Sequence, residues 1–336
     1  MARAHDSLTC SDVSAEDASV TEAVDCDLTI DAVRAALHEI APEFLDTPQL
    51  IDPDLSRATG RELVVKIETL TPIGSFKARG ASVLVGELDP SRTWVCETAG
   101  NFGQGLAFLA RERGIPVEVF VSPEVPPVKV ERMRALGSVV HVAGRSEASA
   151  REFAAASAER QLVTDGLSAA MAAGAGTIGL ELASHGAFDT VVVQVGDGAL
   201  ASGVACAIKG VAPATRIVGV CAQGAPAMAV SFAARRATKV VGDGTIATAL
   251  AITEPVPASL ARLLAYVDEI VTVDEDHLRR AMHLIAASLG VLVEPAGAAS
   301  VAALLQHGAR IAGERVAVVL TGSGAGHPIW ATPGLV

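Results

Sequence analysis

The chain has 336 residues and a net charge of −12, and half of it is hydrophobic while only 3% is aromatic. That length can bury one large or two closely joined α/β cores. An acidic balance with no basic cluster argues against nucleic acid or an anionic membrane as partner, and no apolar run of eighteen or more residues suggests a membrane-spanning helix.

Residues 1–27 are acidic and rich in Ser, Ala and Asp, so a disordered tail is expected there. They lack the apolar centre of a signal peptide. The first strand-like run, "ELVVKIE" (62–68), leads through Thr-Pro and Gly-Ser to Lys77, where a helix is expected to start. Only five lysines stand against 21 arginines, so Lys77 invites a reading as amine chemistry rather than charge. Lys66, inside the run, reads as an ion-pair partner of Glu68 or another acid. "TWVCETA" (93–99) then runs into "GNFGQG" and a helical stretch, "FGQGLAFLARERG", that ends at Gly.

Further strands are predicted at "VEVFVS" (117–122) and "SVVHVA" (138–143). "GAGTIG" (174–179) formally matches G-x-G-x-x-G, but it follows an Ala-rich helical stretch and lacks the ribose-binding acid. It therefore predicts a small-residue packing face rather than a dinucleotide site. "TVVVQVG" (190–196) runs into "DGALASG", and "RIVGVCA" (216–222) and "EIVTV" (269–273) follow. After the helical "EDHLRRAMHLIAASLG", "VAVVLTG" (316–322) runs into "SGAGHP". Most of these runs are continuously apolar, which predicts parallel strands covered by helices on both faces, in an open doubly wound α/β fold. Ligands then belong at the carboxyl ends of the strands, where three Gly-rich turns and the Lys77 turn converge.

The turn at 196–203 offers backbone N–H groups and a helix start to an anion, so a phosphate fits. The P-loop pattern fails because Val204 stands where its lysine belongs, which disfavours a nucleoside triphosphate. One phosphate plus a dedicated lysine fits pyridoxal phosphate. Asn101 can then meet the ring hydroxyl, Thr321 the pyridine nitrogen, and the N–H groups of "TAGNF" a substrate carboxylate. Each has a plainer reading alone: Asn101 as a helix-start cap, Thr321 as a strand-end hydroxyl, and Glu294 before Pro295 as an ordinary first turn. Five cysteines without C-x-x-C spacing and eight scattered histidines predict a reduced, cytoplasmic chain with no metal site.

"VVKIETLTPIGSFKARGA", "ETAGNFGQGLAFLARERGIPVEVFVSP", "VVVQVGDGALASGVA", "VEPAGAASVAALL" and "VVLTGSGAG" occur in the order of the fold-type II pyridoxal-phosphate enzymes. The chain resembles these threonine/serine dehydratases and their tryptophan synthase β relatives over roughly residues 30–325. The resemblance implies Lys77 as the Schiff-base lysine and proton-transfer base. It implies Asn101 and Glu294 near the cofactor ring, Gly196, Asp197, Gly198, Ala199 and Leu200 as the phosphate cradle, and Thr321 against the pyridine nitrogen. Thr98, Ala99, Gly100, Asn101 and Phe102 correspond to the loop that grips an amino-acid carboxylate. It further implies two domains, each an open, mostly parallel twisted sheet flanked by helices. Residues 28–84 and 171–336 would form the larger one and 85–170 a smaller mobile one, in a homodimer with no regulatory extension.

Several residues depart from the family pattern. Phe102 replaces a polar side chain, and Asp197 sets a carboxylate in a phosphate turn, where it must turn away or cap the helix. Cys221, Ala225 and Ala227 replace the divalent-ion ligands of serine racemases, and "ATALA" (247–251) replaces an acid-and-glycine stretch. The expected activity is β-elimination from serine or threonine to a 2-oxo acid and ammonia. The alternatives are β-replacement or racemisation with the same cofactor, or a non-catalytic ligand-binding homologue.

Overall fold

The computed structural model describes residues 26–331, and in it the apolar runs form two separate sheets. The chain begins with helix α1 (Ile30–Ala36), strand β1 (Gln49–Ile51), helix α2 (Pro53–Thr59), strand β2 (Glu62–Ile67) and helix α3 (Lys77–Leu84). A run of βα units follows: β3 (Thr93–Glu97), α4 (Asn101–Arg113), β4 (Val117–Val121), α5 (Pro127–Ala135), β5 (Val139–Val142), α6 (Ser146–Ala155) and β6 (Arg160–Val163). Next come α7 (Ala169–Ser184), β7 (Thr190–Gln194), α8 (Ala199–Val211), β8 (Arg216–Ala222), α9 (Ala227–Ala234) and α10 (Pro257–Tyr266). The last elements are β9 (Glu269–Val273), α11 (Glu275–Leu289), α12 (Ala299–His307) and β10 (Arg315–Leu320).

One sheet has the order β1-β2-β10-β7-β8-β9, parallel except for the antiparallel β1–β2 edge. The other, β5-β4-β3-β6, is parallel throughout. Its four strands all lie between residues 93 and 163. Strands β7 and β10 are buried on both faces, as their unbroken valine-rich runs predict. β10 is last in sequence yet sits between β2 and β7. The loops leaving β2, β10 and β7 therefore emerge side by side, and they carry Lys77, Thr321 and Gly196 to one place.

Helices α4 and α11 end at Gly114 and Gly290, both in the left-handed conformation. The "GAGTIG" stretch lies inside α7 as a packing face. A Cβ on Gly174 would stand 2.3 Å from the Arg79 carbonyl oxygen, and one on Gly203 of α8 would stand 2.0 Å from that of Ala172. Backbone meets backbone there, which fixes α3 and α8 against α7.

Two particulars differ from the sequence expectation. Strands β1 and β6 were not among the predicted runs; they are three and four residues long and contain Gln49 or Arg160 and Gln161. Residues 1–25 of the expected tail lie outside the described residues, and at its end Asp27 is docked. The carboxylate of Asp27 accepts hydrogen bonds from Arg262 at 2.6 and 2.7 Å. Lys66 is an ion-pair partner as expected, and the acid it meets is Glu181, at 2.5 Å.

Candidate active site

Lys77 is the first residue of α3, and its approach is tied down on both sides. The Phe76 N–H donates to the Thr321 carbonyl at 3.1 Å, the Ser323 N–H donates to the Gly74 carbonyl at 2.8 Å, and Ser75 bridges Gly322. Two residues on, Arg79 is wholly buried and donates to Glu68 at 2.9 Å and to Glu181 at 2.5 and 2.9 Å. Lys66 completes a buried four-charge network of two cations and two carboxylates joining β2, α3 and α7. A helix start pinned at its first turn and bolted from below holds the Lys77 amine in one direction.

That direction is into a cavity of about 390 Å³ at the carboxyl ends of β2, β10, β7 and β3, within the size range of small-molecule sites. The Lys77 amine donates to Asp165 Oδ2 at 2.6 Å and to Asp197 Oδ2 at 3.2 Å. The three side chains are 14, 25 and 28% exposed. Burial alone would pull the ammonium down, but the two carboxylates beside it outweigh that and hold it above its ordinary value.

The expected phosphate turn begins at Gly196, where a Cβ would lie 2.7 Å from the Ala249 carbonyl oxygen. Gly198, at φ +101°, caps the thirteen-residue helix α8. Asp197 is neither turned away nor idle: its Oδ1 accepts from the Ala199 N–H at 3.0 Å. The carboxylate thus occupies one N–H group of the helix start while its other oxygen faces Lys77. Burial works to raise its pKa, but Lys77 and the Ala199 N–H hold it below the usual carboxylate range.

The loop expected to grip a carboxylate, 98–102, is shaped from within. Thr98 Oγ1 accepts from the N–H groups of Gly100 (2.9 Å) and Gly103 (3.2 Å), and Gly100 sits at φ +125° against the Lys129 stem. Asn101 Nδ2 donates to Glu294 Oε1 at 2.8 Å, and Lys129 Nζ donates to Glu294 Oε2 at 2.6 Å. From this loop Ala99, Asn101 and Phe102 reach the cavity; from the phosphate turn Gly196, Asp197 and Leu200 do; Lys77, Thr321 and Glu294 complete the set. Thr98, Gly100, Gly198 and Ala199 do not line it, and they act through the backbone they shape.

Sequence reasoning missed Asp165, Glu97, Gln194 and Lys129. Gln194 left a signal, a lone amide in an otherwise apolar strand run, and its buried Oε1 has no hydrogen-bond partner. Asp165 follows β6, the strand too short to be recognised, so its place at a strand's carboxyl end was not visible. Glu97 accepts from Ser146 Oγ at 3.1 Å, and burial raises its pKa against that bond.

The donor set fits pyridoxal phosphate. An amine faces a glycine turn that a Cβ would fill, at the start of a long helix, in a cavity that also presents hydroxyl, amide and carboxylate groups. Among the described residues no group of three or more His, Cys, Asp or Glu could hold a metal ion.

Comparison with known proteins points the same way. A family model described as "Pyridoxal-phosphate dependent enzyme" matches residues 40–322. The chain is 33% identical to the L-threonine ammonia-lyase of Thermotoga maritima over 302 residues, 88% of this chain and 75% of the relative. It is also 33% identical to the phenylserine dehydratase of Ralstonia pickettii, over 82% of this chain and 87% of that one. Among solved structures, a threonine deaminase from T.th. superposes with a TM-score of 0.80 at 31% identity, over 88% of this chain and 98% of the other.

Proposed function

This chain belongs to the pyridoxal-phosphate dependent enzyme family, and we propose that it is a lyase converting a β-hydroxy amino acid such as serine or threonine to a 2-oxo acid and ammonia. The observation that carries the reading is the Lys77 amine, buried at a helix start and facing the glycine turn of α8 across one cavity. The two dehydratase-type relatives support elimination, and serine racemases 32% identical over 82% of this chain support racemisation as the second reading.

Bound in the cavity, pyridoxal phosphate supplies an aldehyde for the substrate amine and a conjugated ring that draws electrons from the α-carbon. Lys77 is its covalent anchor, and the amine, once released by substrate, takes the α-proton. The first N–H groups of α8 and the turn at Gly196 hold the phosphate. Loop 98–102 holds the substrate carboxylate through its N–H groups, which Thr98 orients. Thr321 offers a neutral hydroxyl to the ring nitrogen. Asn101 stands beside the ring, its amide fixed by Glu294.

As part of the same reading, residues 85–170 form a smaller domain that moves against 28–84 and 171–336. The division is supported by the separate four-stranded sheet. A homodimer and a cytoplasmic setting belong to it as well; light scattering of the purified protein tests the dimer. No helix among the described residues is long and apolar enough to cross a membrane.

The test is spectroscopic and then chemical. Purified protein supplied with pyridoxal phosphate should show the visible absorbance of the bound cofactor and release 2-oxo acid from L-serine, L-threonine or phenylserine. Lys77→Ala should lose that absorbance and lower turnover by roughly 10³-fold or more. A protein that takes up no cofactor would overturn the reading.

A further inference from the structure

Six acidic residues line the cavity, and their charges are unevenly answered. Glu147 pairs with Arg151 at 2.9 Å, Glu254 with Lys239 at 3.6 Å and Glu294 with Lys129 at 2.6 Å. Glu97, Asp165 and Asp197 are left with the Lys77 amine among them, and that amine has its own task as the cofactor's anchor. Asp197 has the N-terminus of α8 besides. Asp165 has the amine alone: Oδ2 accepts from it at 2.6 Å, and the buried Oδ1 has no hydrogen-bond partner. Glu97 accepts from Ser146 Oγ at 3.1 Å and, among the described residues, pairs with no cation.

Glu97 and Asp165 belong together. Strands β3 and β6 run parallel with Cys96 opposite Val163, so the two acids leave the carboxyl ends of neighbouring strands. Asp165 is placed from behind by α10. Ser259 Oγ donates to the Gly166 carbonyl at 2.9 Å, and Arg262 donates to the Gly166 and Leu167 carbonyls at 3.4 and 3.1 Å. Burial pushes Glu97 up, and pushes Asp165 up to about 6 against the pull of Lys77. Both carboxyls therefore gain from a cation beside them. Gln194, on another strand, points to the same kind of ligand. It is 3% exposed, and its amide nitrogen donates to the Gly297 carbonyl at 3.1 Å and the Val319 carbonyl at 2.8 Å. Those two carbonyls fix which way the amide lies. Its Oε1 is thus left on the cavity side with no donor to meet it. Unmet buried acceptors call for a ligand rich in N–H groups.

We propose that the site is built for an α-amino acid with a second amine on its β-carbon, whose ammonium Asp165 and Glu97 hold. The proposal rests on the lyase reading above and keeps its cofactor and its α-proton step. An amine that takes the α-proton stands about 3 Å from it, and Asp165 is 2.6 Å from the Lys77 amine. A group on the next carbon is within reach of that carboxylate. The two acids keep the β-amine charged. Lys77 takes the α-proton, and the Cα–H electron pair becomes the second Cα–Cβ bond. The Cβ–N bond breaks with its pair on nitrogen, and the ammonium leaves as neutral ammonia, so no acid is needed. A hydroxyl leaves as water only with an added proton, and Asp165, paired with Lys77, is an anion. Hydrolysis of the released enamine frees the second ammonia. One diamino acid and one water thus become one 2-oxo acid and two ammonia.

Holoenzyme is assayed for 2-oxo acid and ammonia from L-2,3-diaminopropionate and from L-serine, its neutral counterpart. Binding without elimination is read with L-2,4-diaminobutyrate, whose second amine is one carbon too far to leave. The signal is the change in the cofactor's visible absorbance, and L-homoserine is the control. The wild type should favour diaminopropionate over serine in kcat/KM by roughly tenfold or more. It should release two ammonia per 2-oxo acid and bind diaminobutyrate more tightly than homoserine. Asp165→Asn and Glu97→Gln should each cut both preferences by roughly tenfold. Glu97→Gln decides alone if Asp165→Asn takes up no cofactor. A wild type without a preference for diaminopropionate, or preferences that Glu97→Gln leaves unmoved, overturns the proposal while the lyase reading stands. A holoenzyme that makes 2-oxo acid from neither substrate overturns the lyase reading, and this proposal with it.

Discussion

At the scale of single residues, the site is a contest over one helix start. Asp197 places a carboxylate on the Ala199 N–H, at a point where the phosphate needs positive charge. Asparagine can make the same cap without the charge. Asp197→Asn should therefore tighten pyridoxal phosphate binding by roughly tenfold, read by titrating the visible absorbance of the bound cofactor. Weaker binding would mean that the Asp197–Lys77 pair, not the cap, is what orders the turn. Lys77, Asn101 and Thr321 could be placed at the cavity from the sequence because Lys77 and Asn101 open the helices that follow apolar runs and Thr321 directly follows one. The sequence left Asp197 either turned away or capping the helix, and only the structure decides for the cap, since the direction of a side chain is set by what packs around it. Phe102, where a polar side chain was expected, is 2% exposed and belongs to the core behind the loop as much as to the cavity.

At the scale of elements, α3 is the part that everything else holds. The network of Lys66, Glu68, Arg79 and Glu181 balances two positive and two negative charges away from water, with Thr47 Oγ1 donating to Glu68 at 2.5 Å. Removing one partner strands the others. Arg79→Met should cost about 3–5 kcal/mol, seen as a lower midpoint in denaturant unfolding. The same variant should loosen the Lys77 helix and weaken the cofactor's absorbance; unchanged stability would show that the network is dispensable. Burial raises the Glu181 pKa by itself, but Arg79 and Lys66 together hold it below the usual value. Its share of the stability is thus present at neutral pH and lost as pH falls through that lowered value. Most of the eight apolar runs were readable because burial on both faces leaves no polar alternation to confuse with a helix, while the edge strand β5 kept an apolar run despite exposed Val139 and Val142. β1 and β6 were not, because three or four residues carry too little pattern. Missing β6 hid Asp165, so one short strand concealed a residue beside the Lys77 amine.

At the scale of the whole molecule, the two sheets meet across the cavity, and few polar ties cross it. Lys129 of α5 reaches Glu294, beside the first turn before α12, at 2.6 Å, and Asn101 of α4 reaches the same carboxylate. In the two-domain reading this carboxylate is the catch of a closed cleft. Lys129→Met should leave it buried and half-partnered, raising the KM for the amino acid about tenfold with cofactor absorbance unchanged. A KM equal to the wild type would show that closure does not depend on the pair. The domain boundary expected at residue 170 has a further consequence once the Gly166 and Leu167 carbonyls are seen fastened to α10. In the two-domain reading Asp165 then stands at the joint, between β6 of the smaller sheet and carbonyls held by the larger body. The place where the smaller body is hinged is also the place where a carboxylate holds the Lys77 amine.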